Sequence, residues 1–235
     1  MKALSKILMV LMTLSLTGLL SLPVTPALAD DLQDATQLVE KAKMSFNSFK
    51  TAKEMEGFRD LVKKAKGVFI APQVLKGAFI VGASGGSGVF LAKDVKGGKW
   101  SDPAFYTMGE ASFGLQIGGS ASEVVLLAMT DRGVTAFLSN NFKLGADGSV
   151  AVGPVGVGAA AATANLSADI LSFSRAKGLF GGVSVDGAVV GVRGSLNDAY
   201  YGKKVTPTDI LVKHNVKNKA SAGLVQAVQN AASGK

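Results

Sequence analysis

From Val68 onward the chain is divided into short apolar segments by glycine, proline, asparagine and aspartate. There are 29 glycines among 235 residues, about 12% against the usual ~7%. Glycine weakens helices and permits bulges, turns and close approach of backbones, so the pattern favours strands. Nine segments have the character of short strands: residues 68–70, 78–81, 89–92, 111–117, 124–129, 150–157, 170–173, 181–185 and 188–192. They predict a glycine-rich antiparallel β-barrel or sandwich.

Three turn signals fall between these segments. Asp147-Gly148 and Asp186-Gly187 each separate apolar segments, which is the strongest short-range signal of a β-hairpin. Residues 96–99, with the sequence Lys-Gly-Gly-Lys, indicate a third turn. These signals predict that neighbouring segments pair with each other in the sheet.

Two helices are predicted ahead of the sheet. In residues 31–49, apolar side chains recur every three or four positions, and acidic residues at the start precede lysines near the end. Residues 51–66 place Met55, Phe58 and Val62 on one apolar stripe. Short helices are also predicted at residues 131–140, 196–201, 208–215 and 220–232. The predicted class is α+β, with N-terminal helices packed on the sheet and short C-terminal helices.

The first 29 residues have the order of a secretory signal peptide. Lys2 and Lys6 precede an apolar run over residues 7–22, and Ala27-Leu28-Ala29 is a small-x-small cleavage site. The run is shorter than the ~20 residues that a spanning helix needs. We therefore expect cleavage near Ala29, a single domain over residues 30–235, and an exported protein that is periplasmic or peripherally membrane-associated.

Composition limits the chemistry that the chain can support. It has no cysteine and one histidine, His214, so cysteine nucleophiles, thiolate zinc sites and multi-histidine metal sites are ruled out. We expect no catalytic residue, no metal and no cofactor. Residues 82–86, Gly-Ala-Ser-Gly-Gly, match the G-x-S-x-G pattern of a serine hydrolase with Ser84 as nucleophile. That reading is a remote alternative, since an apolar strand rather than a helix follows the serine.

Positive charge is the feature that points to a binding function. Lys and Arg together number 25 against 17 Asp and Glu. In the second predicted helix, Arg59, Lys63 and Lys66 border the apolar stripe, which suits an anionic membrane surface. The alternative is a helix that packs on the core with a solvated basic edge. The candidate lipid-binding residues are Lys53, Phe58, Arg59, Lys63, Lys64, Lys66 and Lys76.

An ordered set of motifs resembles the SYLF domain family. It consists of residues 64–72 (KAKGVFIAP), 77–88 (GAFIVGASGGSG), 100–105 (WSDPAF), 111–118 (ASFGLQIG), 123–127 (EVVLL) and 153–156 (GPVG). The resemblance spans residues 38–215 and implies a lipid-binding module. Eukaryotic members bind phosphoinositides through a basic amphipathic N-terminal segment, which corresponds here to residues 53–66. Some fungal members bind actin, and bacterial members are commonly exported.

The sequence therefore predicts a non-enzymatic, exported domain whose partner is an anionic phospholipid membrane. An envelope scaffold that binds protein partners through its sheet is the alternative. Nucleic acid is not expected, because no basic-aromatic recognition motif is present. Actin is not expected either, because no segment that marks actin binding is found.

Overall fold

The computed structural model describes residues 27–78, 81–94, 98–113, 118–156 and 167–234. The predicted signal peptide lies almost wholly outside these residues, and its cleavage stays a prediction. Helices α1 to α6 and two 3₁₀ turns follow the predicted order. They are α1 (Ala27–Thr51), a 3₁₀ turn (Lys53–Met55), α2 (Glu56–Lys64), α3 (Asp131–Ala136), α4 (Gly194–Tyr201), α5 (Pro207–Leu211), a second 3₁₀ turn (Lys219–Ser221) and α6 (Ala222–Ala232).

Within the described residues, nine strands form a single curled sheet, and the α+β class is confirmed. The strands are β1 (Gly67–Ala78), β2 (Val81–Ala92), β3 (Ala104–Phe113), β4 (Gly118–Ala128), β5 (Asn141–Lys143), β6 (Val150–Val152), β7 (Ile170–Ala176), β8 (Leu179–Gly181) and β9 (Val189–Val192). Their order is β5-β9-β3-β2-β1-β4-β7-β6, and β8 also pairs with β7. The predicted antiparallel pairing holds except between β6 and β7, which are parallel.

Helices α1 and α2 pack together on one face of the sheet. Val39, Ala42, Phe46 and Phe49 of α1 are fully buried, as the three- and four-residue spacing predicts. Phe58 of α2 is also fully buried, and its ring contacts those of Phe46, Phe49 and Phe173 at centroid distances of 6.0, 5.7 and 5.1 Å. The two helices are thus held by one aromatic cluster against β7.

Two hydrophobic cores lie on opposite faces of the sheet. The core on the helical face joins α1, α2, α4 and α6 to strand residues such as Ile70 and Leu91. The other core contains Phe69, Phe90 and Tyr106, which surround Phe137 just after α3. The rings of Phe90 and Phe137 are stacked with centroids 3.8 Å apart. Consecutive strand residues are therefore both buried, which explains why these segments are apolar throughout.

A bulge at Pro72 divides β1 into two parts. The pairing of β1 with β2 shifts between Ile70 and Gln73, and its pairing with β4 shifts between Ala71 and Val74. Proline lacks the N–H that a central strand donates, so a bulge is where it is tolerated. The extra residue also changes which side chains face α1. Ile70 lies in the core on the helical face, whereas Val74, also even-numbered, lies in the opposite core.

We call residues 67–71, 88–92, 104–108 and 124–128 the packed half of strands β1 to β4. The open half comprises residues 73–78, 81–87, 109–113 and 118–123 and carries glycine, serine or alanine at most positions. Side chains in the packed half are buried except that of Thr107, whereas many described residues of the open half are exposed, Leu75 to 55%. The long strands therefore extend from a closed core to a surface.

Two of the predicted hairpins are wrong. The chain turns at Asp147, but the flanking strands β5 and β6 do not pair with each other. Instead, β5 pairs with β9 and β6 pairs with β7. The chain also turns at Asp186-Gly187, where β8 pairs with β7 and the following β9 pairs with β3. Residues 95–97 of the third predicted turn lie outside the described residues, and its neighbours β2 and β3 are paired antiparallel.

Candidate functional site

Helix α2 and the turn before it carry most of the predicted lipid-binding residues. Met55, Phe58, Leu61 and Val62 are all buried in the core on the helical face. The apolar stripe is therefore the packing face of the helix. Phe58, a candidate lipid-binding residue, has its ring enclosed between α1 and β7 and is not exposed at the surface.

Arg59 is directed toward the end of α1 rather than toward solvent. Its Nη1 donates hydrogen bonds to the carbonyl oxygens of Lys50 and Ala52 at 3.2 and 2.6 Å. The last carbonyls of a helix have no partner within the helix, and a cation there also complements the helix dipole. Arg59 therefore has a structural role at the junction of α1 and α2.

Lys63 and Lys66 form ion pairs at the surface. The Lys63 ammonium lies 2.8 Å from Asp60 Oδ1, and that of Lys66 lies 2.7 Å from Asp131 Oδ2. Their side chains remain 47% and 43% exposed. Pairs this exposed contribute only about 0–1 kcal/mol, so an anionic surface competes readily with the carboxylates.

Lys53 and Lys64 are exposed, and neither forms an ion pair with any described residue. We call Lys53, Lys63, Lys64 and Lys66 the α2 basic surface. Residues 53–66 carry five cations and three carboxylates, a net charge of +2. The surface is therefore basic but interspersed with acids.

A cavity of about 430 Å³ adjoins this surface. Lys50, Arg59 and Lys63 line it together with the carboxylates of Glu56 and Asp60, and the end of α6 closes one side. Three cations and two carboxylates nearly balance in its lining, so the charge of this cavity gives little preference for an anion.

Lys76 lies apart from the other candidate residues. It is an exposed residue in the open half of β1, ten residues beyond Lys66 and past the bulge. An extended chain of that length spans ~30 Å, so Lys76 and Lys66 do not share a small site. Phe58, Arg59 and Lys76 are thus not part of the α2 basic surface.

Ser84 lies within strand β2, where it pairs with Lys76 of β1 and Glu110 of β3. The strand continues to Ala92, so Ser84 is not on the sharp strand-to-helix turn that exposes a nucleophilic serine. The sequence context of Ser84 and its position in the sheet both indicate that the G-x-S-x-G match is part of a glycine-rich strand.

Among the residues that the structure describes, no group of three or more His, Asp and Glu side chains is placed to hold a metal ion. None of the described helices has the length and apolar character required to cross a membrane.

A polar cluster that sequence reasoning did not assemble lies between α1 and the sheet. Glu123 of β4 accepts a hydrogen bond from the buried Ser45 hydroxyl at 2.8 Å and forms an ion pair with Arg175 of β7. In the sequence Glu123 stands beside apolar strand residues, but nothing there identifies partners that lie 78 and 52 residues away.

Comparisons with known proteins identify the relatives of the chain. The Ysc84 family, described as "Las17-binding protein actin regulator", matches residues 109–231. Human SH3 domain-containing YSC84-like protein 1 is 36% identical over 153 residues, which cover 64% of this chain and 44% of that protein. LAS seventeen-binding protein 3 of Saccharomyces cerevisiae is 36% identical over 156 residues, or 65% of this chain and 34% of the yeast protein. The matched region thus spans less than half of either relative.

These findings bear on two expectations from the sequence. The resemblance to the SYLF family is confirmed. The expectation that actin is not a partner is wrong, because the matching family is described as an actin regulator. A folded surface can bind a partner without a contiguous sequence motif, so the lack of a recognisable actin-binding segment is not an argument against actin.

Proposed function

The chain belongs to the Ysc84 family, and on that premise we propose that it is a non-enzymatic domain that docks on anionic phospholipid membranes. The observation that carries this proposal is the α2 basic surface, with Lys53 and Lys64 exposed and without ion pairs to described residues. Each lysine near an anionic membrane contributes ~1 kcal/mol of attraction. The four lysines together would therefore give weak, reversible binding.

The attraction is electrostatic, because the apolar stripe of α2 is buried in the core. Such binding depends on unscreened charge and weakens when the Debye length falls below ~8 Å at higher ionic strength. The domain stays folded while bound, since no core residue has to leave its place. An exported location remains part of the proposal and is supported by the signal-like order of residues 1–29.

Co-sedimentation with vesicles tests the proposal. The protein is expected to bind vesicles that contain phosphatidylglycerol and not vesicles of phosphatidylcholine alone. The double charge reversal Lys63→Glu and Lys64→Glu should weaken binding about tenfold or more, because two attractive contacts become repulsive. The matched control is Lys203→Glu with Lys204→Glu, another exposed pair of adjacent lysines. Equal binding to both vesicle types, or equal losses in both variants, would refute the proposal.

A second proposed function follows from the description of the family as an actin regulator. The chain would bind actin filaments through the edge of the sheet, where β6 and β8 both pair with β7. Leu179 of β8 is 77% exposed and Val152 of β6 is 45% exposed, and exposed apolar side chains on neighbouring strands suit a protein partner.

Co-sedimentation with purified actin filaments tests this second function. Leu179→Glu should abolish recovery with filaments and leave vesicle binding unchanged. Lys63→Glu with Lys64→Glu should weaken vesicle binding and leave recovery with filaments unchanged. Absence of the wild-type protein from the filament pellet would rule out direct actin binding by this chain.

A further inference from the structure

A cavity of about 730 Å³ lies between α1 and the open half of the sheet, on the helical face. Met44 and Lys41 of α1 form one wall, Pro72 and Ala121 belong to the sheet, and Lys177 follows β7. Small-molecule sites have volumes of ~300–1,000 Å³, so this cavity has a suitable size. It shares no lining residue with the α2 basic surface.

The cavity results from the change of composition at the bulge. Beyond Pro72 the strands beneath α1 carry small side chains, including Ala121 and Ser122 of β4, which leave space below the helix. Ser45 and Ser48, on the underside of α1, are also small. The larger side chains that fill the equivalent space in the packed half are absent here.

The cavity carries excess positive charge. Of the described lining residues, Lys41, Arg175 and Lys177 are cationic and Glu123 alone is acidic, so their net charge is +2. Glu123 is already satisfied by Arg175 and by the Ser45 hydroxyl. Lys41 and Lys177 form no ion pair with any residue in the described part of the chain. Two ammonium groups on different elements therefore line the cavity without a counter-charge.

The backbone at Lys177 is strained. Lys177 and Gly178 form the two-residue turn between β7 and β8, with φ angles of 51° and 79°. A left-handed conformation costs a residue with a side chain ~1 kcal/mol and is usually taken by glycine or asparagine. Residues held in such conformations cluster at binding sites. At this turn a lysine occupies the strained position and lines the cavity.

Apolar surface is present beside the cations. Met44 is 62% exposed, and Pro72 lies across from it in the cavity lining. We propose that this cavity binds the phosphate group of a small molecule, with Lys41 and Lys177 neutralising the phosphate and Met44 and Pro72 contacting the body of the ligand. A phosphate monoester carries about −1.5 to −2 charges at pH 7, which matches the net charge of the lining. This site goes beyond the proposed membrane docking and uses different residues.

Isothermal titration calorimetry of the full chain tests the proposal with two soluble probes, inorganic phosphate and sub-micellar dihexanoyl phosphatidic acid. Dihexanoyl phosphatidylcholine, which has no net charge, is the negative control. Binding of at least one anionic probe with one-to-one stoichiometry is expected. Tighter binding of the phosphatidic acid would assign the cavity to a lipid headgroup, and equal binding would assign it to soluble phosphate compounds. Either result supports a phosphate site.

Lys41→Gln with Lys177→Gln should weaken binding of the anionic probes about tenfold or more, because two charge-assisted contacts are lost. The matched control, Lys203→Gln with Lys204→Gln, removes the same charge from an exposed pair of lysines outside both the cavity and the α2 basic surface, and should bind the probes as the wild type does. Thermal unfolding of each variant verifies that the fold is retained. No binding of either anionic probe, or equal affinity in both double variants, would overturn the proposal. Because no vesicles are used, failure here is separate from failure of membrane docking.

Discussion

The two halves of strands β1 to β4 share one hydrogen-bonded sheet but differ in what their side chains do. The packed half places Phe69, Phe90 and Tyr106 in one core and Ile70 and Leu91 in the other. The open half replaces such residues with glycine, serine and alanine at most positions, and the cavity of about 730 Å³ lies over it. In the open half, backbone pairing therefore continues the sheet with few large side chains. Burial of side chains makes the packed half the part that stabilises the protein and leaves the open half available for binding.

The largest expected effect of a substitution contrasts Phe90 with Leu75. Phe90→Ala removes a fully buried ring that is stacked on Phe137, and should lower the free energy of unfolding by about 3–5 kcal/mol. Leu75→Ala, at a position 55% exposed in the open half, should change it by no more than about 0.5 kcal/mol. Urea denaturation measures both values. Similar losses would show that the open half contributes to stability as the packed half does.

Glycine-to-alanine substitutions in β2 test the same contrast between the packed half and the open half. A Cβ at Gly88 would lie 2.5 Å from Phe69 Cζ and 2.7 Å from the Ile70 carbonyl oxygen, so Gly88→Ala should cost about 1–3 kcal/mol. A Cβ at Gly85 would meet only the Met108 carbonyl oxygen at 3.7 Å, an ordinary contact. Gly85→Ala should leave stability unchanged or raise it by up to about 1 kcal/mol. A thermal shift of equal size in the two variants would contradict this account.

The next effect concerns the ion pair where the two halves meet. Glu123 and Arg175 have side chains 20% and 30% exposed, and Ser45 adds a hydrogen bond. Glu123→Gln should lower the free energy of unfolding by about 1–2 kcal/mol, because a largely desolvated guanidinium loses its counter-charge. The control Asp60→Asn breaks the exposed pair with Lys63 and should cost about 0–1 kcal/mol. Equal costs would mean that burial does not strengthen the inner pair.

Asp169, just before β7, makes the stability of the fold depend on pH. The Thr130 hydroxyl, and then the Ser149 N–H and hydroxyl, donate to its carboxylate and hold the pKa below the usual 3.8. Because the pKa of Asp169 is lower in the folded protein than in the unfolded chain, its ionised carboxylate stabilises the fold at any pH above the pKa of the unfolded chain. This contribution is lost as the pH falls through the pKa of the folded protein. Asp169→Asn should therefore flatten the decline of stability below about pH 4. Identical urea midpoints against pH in wild type and variant would refute the assignment.

Much of this fold could be predicted from the sequence. The helical spacing in residues 31–49 identified the buried face of α1, including Phe46 and Phe49, and the later helices appear in the predicted order. Those features depend on local periodicity. The pairing of strands does not depend on local periodicity. For that reason the Asp147-Gly148 and Asp186-Gly187 signals predicted the turns correctly but the strand partners wrongly.

The candidate site was harder to predict for a related reason. An apolar stripe bordered by cations looks the same whether the stripe contacts lipid or a sheet, and only the packing of Phe58 on Phe173 distinguishes the two. Likewise, the pairing of Glu123 with Arg175 depends on adjacent strands that are far apart in sequence. The sequence supplied the charges, and the fold determined which of them remain at the surface.

The turn at Lys177 has a consequence for engineering. Replacing this lysine with glycine would relieve the unfavourable φ angle and raise stability by up to ~1 kcal/mol, while removing an ammonium group from the cavity. Directed evolution that rewards heat resistance alone would therefore favour losing this side chain. A library of variants of this protein therefore needs a screen for ligand binding as well as one for thermal stability if Lys177 is to be retained.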